Sequence, residues 1–207
     1  MPFRVLSLRY NLYVLVTALL ILVATLTPIL VSADEAPAYG AELEGFAYPF
    51  AVQRFAFTSQ RQSMQMAYMD LPAEQPNGRI VVLMHGKNFC GATWEGTMRF
   101  LSAQGYRVIA TDQIGFCKSS KPIAYQYSFQ QLAHNTRALL DHLGIRRVTL
   151  VGHSTGGMLA TRYALMFPNE VEQLVMVNPI GLEDWKAEGV PSLTVDRWHA
   201  REQQVTA

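Results

Sequence analysis

Ser154 stands in Gly152-His153-Ser154-Thr155-Gly156, directly after the apolar, β-prone run Val148-Thr149-Leu150-Val151 and directly before residues with a helical pattern. A serine placed this way is a candidate nucleophile. A strand that reverses into a helix within a few residues brings its backbone segments too close together for side chains at the flanking positions, which glycine tolerates. Such a turn holds the serine at its tip, hydroxyl exposed, with the amide of the next residue facing the same space. A bare Gly-x-Ser-x-Gly string arises by chance, so the strand before it and the helix after it carry the signal. The plainer alternative is a Gly-rich turn with the serine as a helix N-cap.

A serine hydroxyl is a weak nucleophile at neutral pH and needs a base, normally an imidazole oriented by a carboxylate. Attack on a carbonyl also puts charge on an oxygen, which preorganised amides stabilise by about 3–4 kcal/mol per donor. A turn that gathers such amides is expected at His85-Gly86-Lys87-Asn88-Phe89, which follows the short buried strand 79–84 and precedes a helical stretch at 93–104.

The elements needed to position these groups follow in order. Residues 49–57 and 62–71 pattern as a β-hairpin, and 106–111 as a buried strand closing on Asp112-Gln113-Ile114-Gly115-Phe116 and a loop to Pro122. Ser128-Phe129-Gln130-Gln131 is a capping-box pattern, opening a helix with Leu132, Leu139, Leu140 and Leu143 on one side and Gly144 as its stop. The serine-bearing strand comes next, and 171–177 is a further strand ending in Asn178-Pro179.

With these motifs in this order, the segment from Pro49 to Pro179 resembles the α/β-hydrolase superfamily, in the branch with a His-Gly oxyanion loop and a lid after the sixth strand. The resemblance implies an α/β fold: a mostly parallel sheet with an N-terminal antiparallel hairpin and, at this length, the last strands missing. It implies that Ser154 is the nucleophile, that the backbone amides of Lys87 and Thr155 form the oxyanion hole, and that Asp112 braces loops rather than serving as triad acid. The activity implied is hydrolysis of carboxylic esters or related acyl compounds through an acyl-enzyme, without cofactor or metal. Relatives that dehalogenate haloalkanes or open epoxides use aspartate at the elbow, where this chain has serine.

In this fold the acid and the histidine follow the nucleophile. His199 is the one histidine of the five that does so, 45 positions on, in a polar stretch matching the start of the lid. It is the candidate base, against a surface histidine on a lid helix. Asp184, shortly after the sixth strand, is the candidate acid, against a solvated lid carboxylate. His85 reads as part of its turn, His134 and His142 fall on a helix, and His153 flanks the nucleophile. The chain of 207 residues is accordingly expected to be a truncated form with an incomplete triad. The competing reading is a non-catalytic exported domain on a hydrolase scaffold, or a degenerate fragment.

Arg4 and Arg9 precede an apolar run at 12–26, then Pro28 and Val31-Ser32-Ala33 before Asp34-Glu35, the pattern of a secretory signal peptide at 1–33. The run also approaches the roughly 20 residues of a membrane anchor. Either reading exports the domain, to the periplasm or beyond, with membrane contact only through this segment. Residues 34–45 are expected to be a linker, 46–179 the hydrolase core, and 180–207 the start of a lid. Cys90 and Cys117 are the two cysteines. In the fold the chain resembles they follow neighbouring strands, so an oxidising compartment would allow a disulfide; two partly buried thiols are the alternative. With 17 basic and 16 acidic side chains there is no electrostatic footprint for nucleic acid, and small neutral or apolar ester-like substrates fit better.

Overall fold

Alternating apolar residues build the first two strands. In β1 (Val52–Ser59) and β2 (Gln62–Leu71), Phe55, Met64 and Met66 point inward, and Gln60 and Arg61, with φ of 47° and 62°, make the two-residue turn between them. Positive φ at both central positions matches the twist of the hairpin. The computed structural model describes residues 39–206.

β2 runs antiparallel to β4 (Arg107–Thr111), and from there the sheet is parallel through β3 (Ile80–Met84), β5 (Val148–His153) and β6 (Val171–Val177). The strand order is β1-β2-β4-β3-β5-β6. A 3-10 turn (Gly91–Trp94) and α1 (Glu95–Ala103) connect β3 to β4. Helix α2 (Phe129–His142) connects β4 to β5, and α3 (Thr155–Met166) connects β5 to β6. Both sheet faces are packed, as parallel strands require. Val81, Leu83, Val108 and Ala110 meet Met98 of α1 on one face. On the other, Val82, Met84, Ile109 and Leu150 meet Leu139 and Leu140 of α2 and Leu159 and Tyr163 of α3.

Ser128 caps α2, its Oγ accepting from the Gln131 amide at 3.1 Å. The capping box is half realised, because the Gln131 side chain donates forward to Asn135 Oδ1 instead of reaching back. Gly144, at φ 68°, ends the helix as its position predicts.

From β3 the chain crosses to β4 on one side, and from β4 it returns to β5 on the other. The strand order therefore reverses between β3 and β5. Loops leaving the carboxyl ends of two such strands diverge and open a crevice between them, where open α/β sheets bind ligands. His85-Gly86-Lys87 leaves β3 there, and Ser154 leaves β5.

Residues 39–45, the described part of the expected linker, make contacts with later residues. The Tyr39 ring meets Phe46 edge-on at 5.3 Å, Lys118 Nζ donates to the Leu43 carbonyl at 2.8 Å, and Arg54 pairs with Glu42 at 2.8 Å. The Gly- and Glu-rich composition of residues 39–45 does not reveal these contacts. The signal peptide or anchor at 1–33 and the start of the linker lie outside the described residues. Among the described residues no helix is long and apolar enough to cross a membrane. After β6, residues 180–194 carry no regular element until α4 (Val195–Thr206).

Candidate active site

Ser154 has φ 53° and ψ −119°, a conformation that L-residues adopt only when surrounding structure imposes it. Here its own amide donates to the Val177 carbonyl at the end of β6, and its carbonyl accepts from the Gly157 amide. The glycines are required by contact. A Cβ on Gly152 would lie 2.2 Å from the Gly156 carbonyl oxygen, and one on Gly156 would lie 2.2 Å from the Met84 carbonyl oxygen. The first turn of α3 therefore sits directly on the end of β3.

The His85-Gly86-Lys87 loop approaches equally closely. A Cβ on Gly86 would fall 3.1 Å from Ser154 Cβ and 3.0 Å from His153 Nδ1. Lys87 and Thr155 line one small niche with His85, Gly86 and Gly156, about 20 Å³ open to a water-sized atom. A single water needs roughly 10–15 Å³ of such space, so the niche suits one oxygen. It lies at the N-terminus of α3, where unpaired amides and the helix dipole favour negative charge. The structure brings Ser154, Lys87 and Thr155 together in this way.

His85 holds the loop in place. The Gln113 amide donates to its Nε2 at 3.0 Å, so the proton is on Nδ1, which donates to the Gly86 carbonyl at 2.8 Å. Burial pushes the imidazole below its ordinary value, against the opposing pull of the Gly86 carbonyl and Asp112. A neutral His85 bridging two loops is a structural part.

Asp112 braces the same region. Its Oδ1 accepts from the Gly91 amide at 2.7 Å, and its Oδ2 from the Lys118 amide at 3.0 Å and the Tyr48 hydroxyl at 2.6 Å. Gly91 and Lys118 each follow a cysteine, and Cys90 and Cys117 form a disulfide, Cα to Cα 5.8 Å. Beside the carboxylate, their sulfurs are bonded to each other and are not available as thiolate ligands. Burial, followed by the Asp112 hydrogen bond and charge, raises the Tyr48 phenol, which remains a donor.

The candidate base and acid both lie in the segment after β6. His199 is exposed on α4, and no hydrogen bond joins it to Ser154. Asp184 caps its own turn, Oδ1 accepting from the Ala187 amide and its carbonyl from the Glu188 amide. Neither makes a hydrogen bond to Ser154, and both are exposed. Among the described residues no imidazole hydrogen-bonds Ser154 Oγ: His153 meets Phe89 edge-on, His134 packs on Phe167 and His142 on Phe55. The Lys87 side chain pairs with Glu202 of α4.

Sequence reasoning did not find the cleft of about 520 Å³ that opens beyond the niche, walled by Phe116, Tyr127, Phe129 and Leu132 with Thr155 at its inner end. The signal was visible as four aromatic residues between 116 and 129, but nothing in a loop's periodicity tells which way its rings face.

A mixed sheet with this order, helices on both faces and a serine elbow at the switch point defines an α/β hydrolase. The chain belongs to the family described as alpha/beta hydrolase fold, whose model matches residues 79–204. It is similar to the crystal structure of a probable hydrolytic enzyme from Pseudomonas aeruginosa, with 62% identity and a TM-score of 0.78, covering 82% of this chain and 54% of that one. It is 34% identical over 119 residues to a 2-hydroxy-6-oxo-2,4-heptadienoate hydrolase of Pseudomonas putida, covering 56% of this chain and 43% of the relative. The crystal structure of a carboxylesterase from Nitrososphaera gargenis matches at 26% identity and a TM-score of 0.60, covering 73% of this chain and 53% of that one. The chain thus spans about half the length of these three proteins, each of which is named for a hydrolytic activity.

Proposed function

We propose that the site is that of a serine hydrolase acting on small, neutral carboxylic esters or related acyl compounds through an acyl-enzyme. The observation that carries this reading is Ser154 held at φ 53° beside a one-oxygen niche bordered by Lys87 and Thr155. Ser154 Oγ would bond to the carbonyl carbon while its proton passes to a base, and the niche amides would stabilise the oxyanion. Collapse breaks the bond to the alcohol, which leaves with a proton, and water then cleaves the acyl-serine. Serine at the elbow argues against epoxide opening on this fold.

The test is acylation by 4-nitrophenyl acetate, whose leaving group departs as an anion and needs no general acid. The 207-residue chain should take up one acetyl group on Ser154, seen by peptide mass mapping and absent in Ser154→Ala, with a burst of nitrophenolate followed by slow release. Slow turnover is expected because nucleophile and oxyanion hole without a base retain only about 10³–10⁴-fold over water. A Ser154 acylated no faster than an exposed serine would overturn the reading. That result would favour a non-catalytic binding domain, which the lack of an imidazole on Ser154 among the described residues also suits.

Export is part of the same proposal. The Cys90–Cys117 disulfide suits an oxidising compartment and supports it. N-terminal sequencing of exported protein should begin at Asp34; retention of Met1 would favour a membrane anchor instead.

A further inference from the structure

Resting on the reading of Ser154 as the acyl acceptor, we propose that the cleft beside Thr155 binds an uncharged aromatic group of the substrate, and that Tyr127 and Phe129 select it. The cleft is continuous with the oxyanion niche, because Phe116, Phe129, Leu132 and Thr155 line both. Its volume of about 520 Å³ falls within the roughly 300–1,000 Å³ of small-molecule sites. Among the described residues no charged side chain lines it, so a carboxylate or ammonium entering there would lose hydration without gaining a partner.

The walls are specific to rings. Phe116 comes from the loop after β4, where it meets His85 edge-on at 5.3 Å, and Phe129 opens α2. Tyr127 is 46% exposed, yet its ring is not free to turn away. Tyr125 meets it edge-on at 5.0 Å, and Gly115 lies against it so closely that a Cβ there would be 2.8 Å from Cε1. An aromatic ring clamped from two sides and bare on a third is a preorganised surface for another ring, since aromatic pairs favour edge-to-face and offset geometries beyond simple burial. Ordering the wall in advance also removes part of the cost of binding.

Competition against acylation tests the proposal. Ser154 is acylated with 4-nitrophenyl acetate in the presence of phenylacetamide, isobutyramide or phenylacetate, and the concentration giving half protection is read for each. Phenylacetamide should protect at about tenfold lower concentration than isobutyramide, the factor expected from burying a ring-sized apolar surface. The phenylacetate anion should protect more weakly than the amide. In Tyr127→Ala and, separately, Phe129→Leu, the ratio between the two amides should fall about threefold or more, and circular dichroism reports that each variant is folded. Equal protection by the two amides, stronger protection by the anion, or an unchanged ratio in both folded variants would overturn the proposal while leaving Ser154 as nucleophile. If Ser154 is not acylated at all, the parent reading fails instead. Saturation-transfer NMR on Ser154→Ala then still reports whether phenylacetamide binds in preference to isobutyramide.

Discussion

Ser154 concentrates backbone strain at the tip of the strand-to-helix turn. Its φ of 53° with ψ −119° suits glycine and costs an L-residue of order 1–3 kcal/mol. Ser154→Gly is therefore expected to be more stable than Ser154→Ala by about 1 kcal/mol in urea denaturation, the gain reduced by glycine's freer unfolded chain. Equal stability of the two variants would mean that the elbow stores no strain. Gly156 tests the opposite sign. Its Cβ would meet the backbone carbonyls of Met84 and His85 at 2.2 and 2.6 Å, which no rotamer change relieves, so Gly156→Ala should cost about 3 kcal/mol or more. His85 adds a dependence on pH. Burial lowers its folded value below the ordinary one near 6.5, so the unfolded chain binds the proton first as pH falls. Its contribution is complete above that value and is lost as pH drops toward the depressed one. The melting temperature of the parent chain should therefore fall more steeply between about pH 7.5 and pH 5.5 than that of His85→Asn.

The loops after β3 and β4 act as one element because two devices join them at the same place. The disulfide links Cys90 to Cys117, 27 positions apart, and Asp112 binds the amide that follows each cysteine. Closing a loop of that length contributes roughly 3–4 kcal/mol in the chain-entropy account. A hydrogen bond to a charged acceptor contributes about 1.5–3 kcal/mol. Asp112→Asn keeps the shape but turns one acceptor into a donor facing N–H or O–H groups, and should cost about 3 kcal/mol. Reduction should weaken the native chain and Asp112→Asn by unequal amounts, since groups sharing partners are not additive. Urea curves with and without reductant measure both. Equal losses would show that disulfide and carboxylate act independently.

At the scale of the whole molecule, cover thins from the middle of the sheet toward its β6 edge. Met98 and Trp94 pack over β3 and β4 on one face, while toward β6 Val175 and Met176 stay 44% and 42% exposed. Among the described residues β6 pairs on one side only, with β5. An unpaired parallel edge beside apolar side chains is a template for association. Sedimentation velocity should show concentration-dependent self-association of the 207-residue chain, reduced in Val175→Lys. A monomer at all concentrations would show that this edge is covered.

The amino-acid pattern alone determined the elements of this protein and the order in which they meet. Strands at 62–71 and 171–177 and the stop at Gly144 were legible because burial imposes a period of two on a half-buried strand and of 3.6 on a helix, and because glycine alone fits certain turns. The elbow was legible for the same reason: Gly152 and Gly156 mark close backbone contacts whose existence a side chain would forbid. What periodicity does not encode is direction and distance between segments far apart in the chain. That His85 Nε2 accepts from Gln113, that Gly115 seats Tyr127 against a cleft, and that residues 39–45 make contacts with later residues all depend on loops meeting across the sheet edge. The places of His199 and Asp184 depend on it as well. Residue type and chain order made them candidates, and only the tertiary structure shows His199 exposed on α4 and Asp184 capping its own turn.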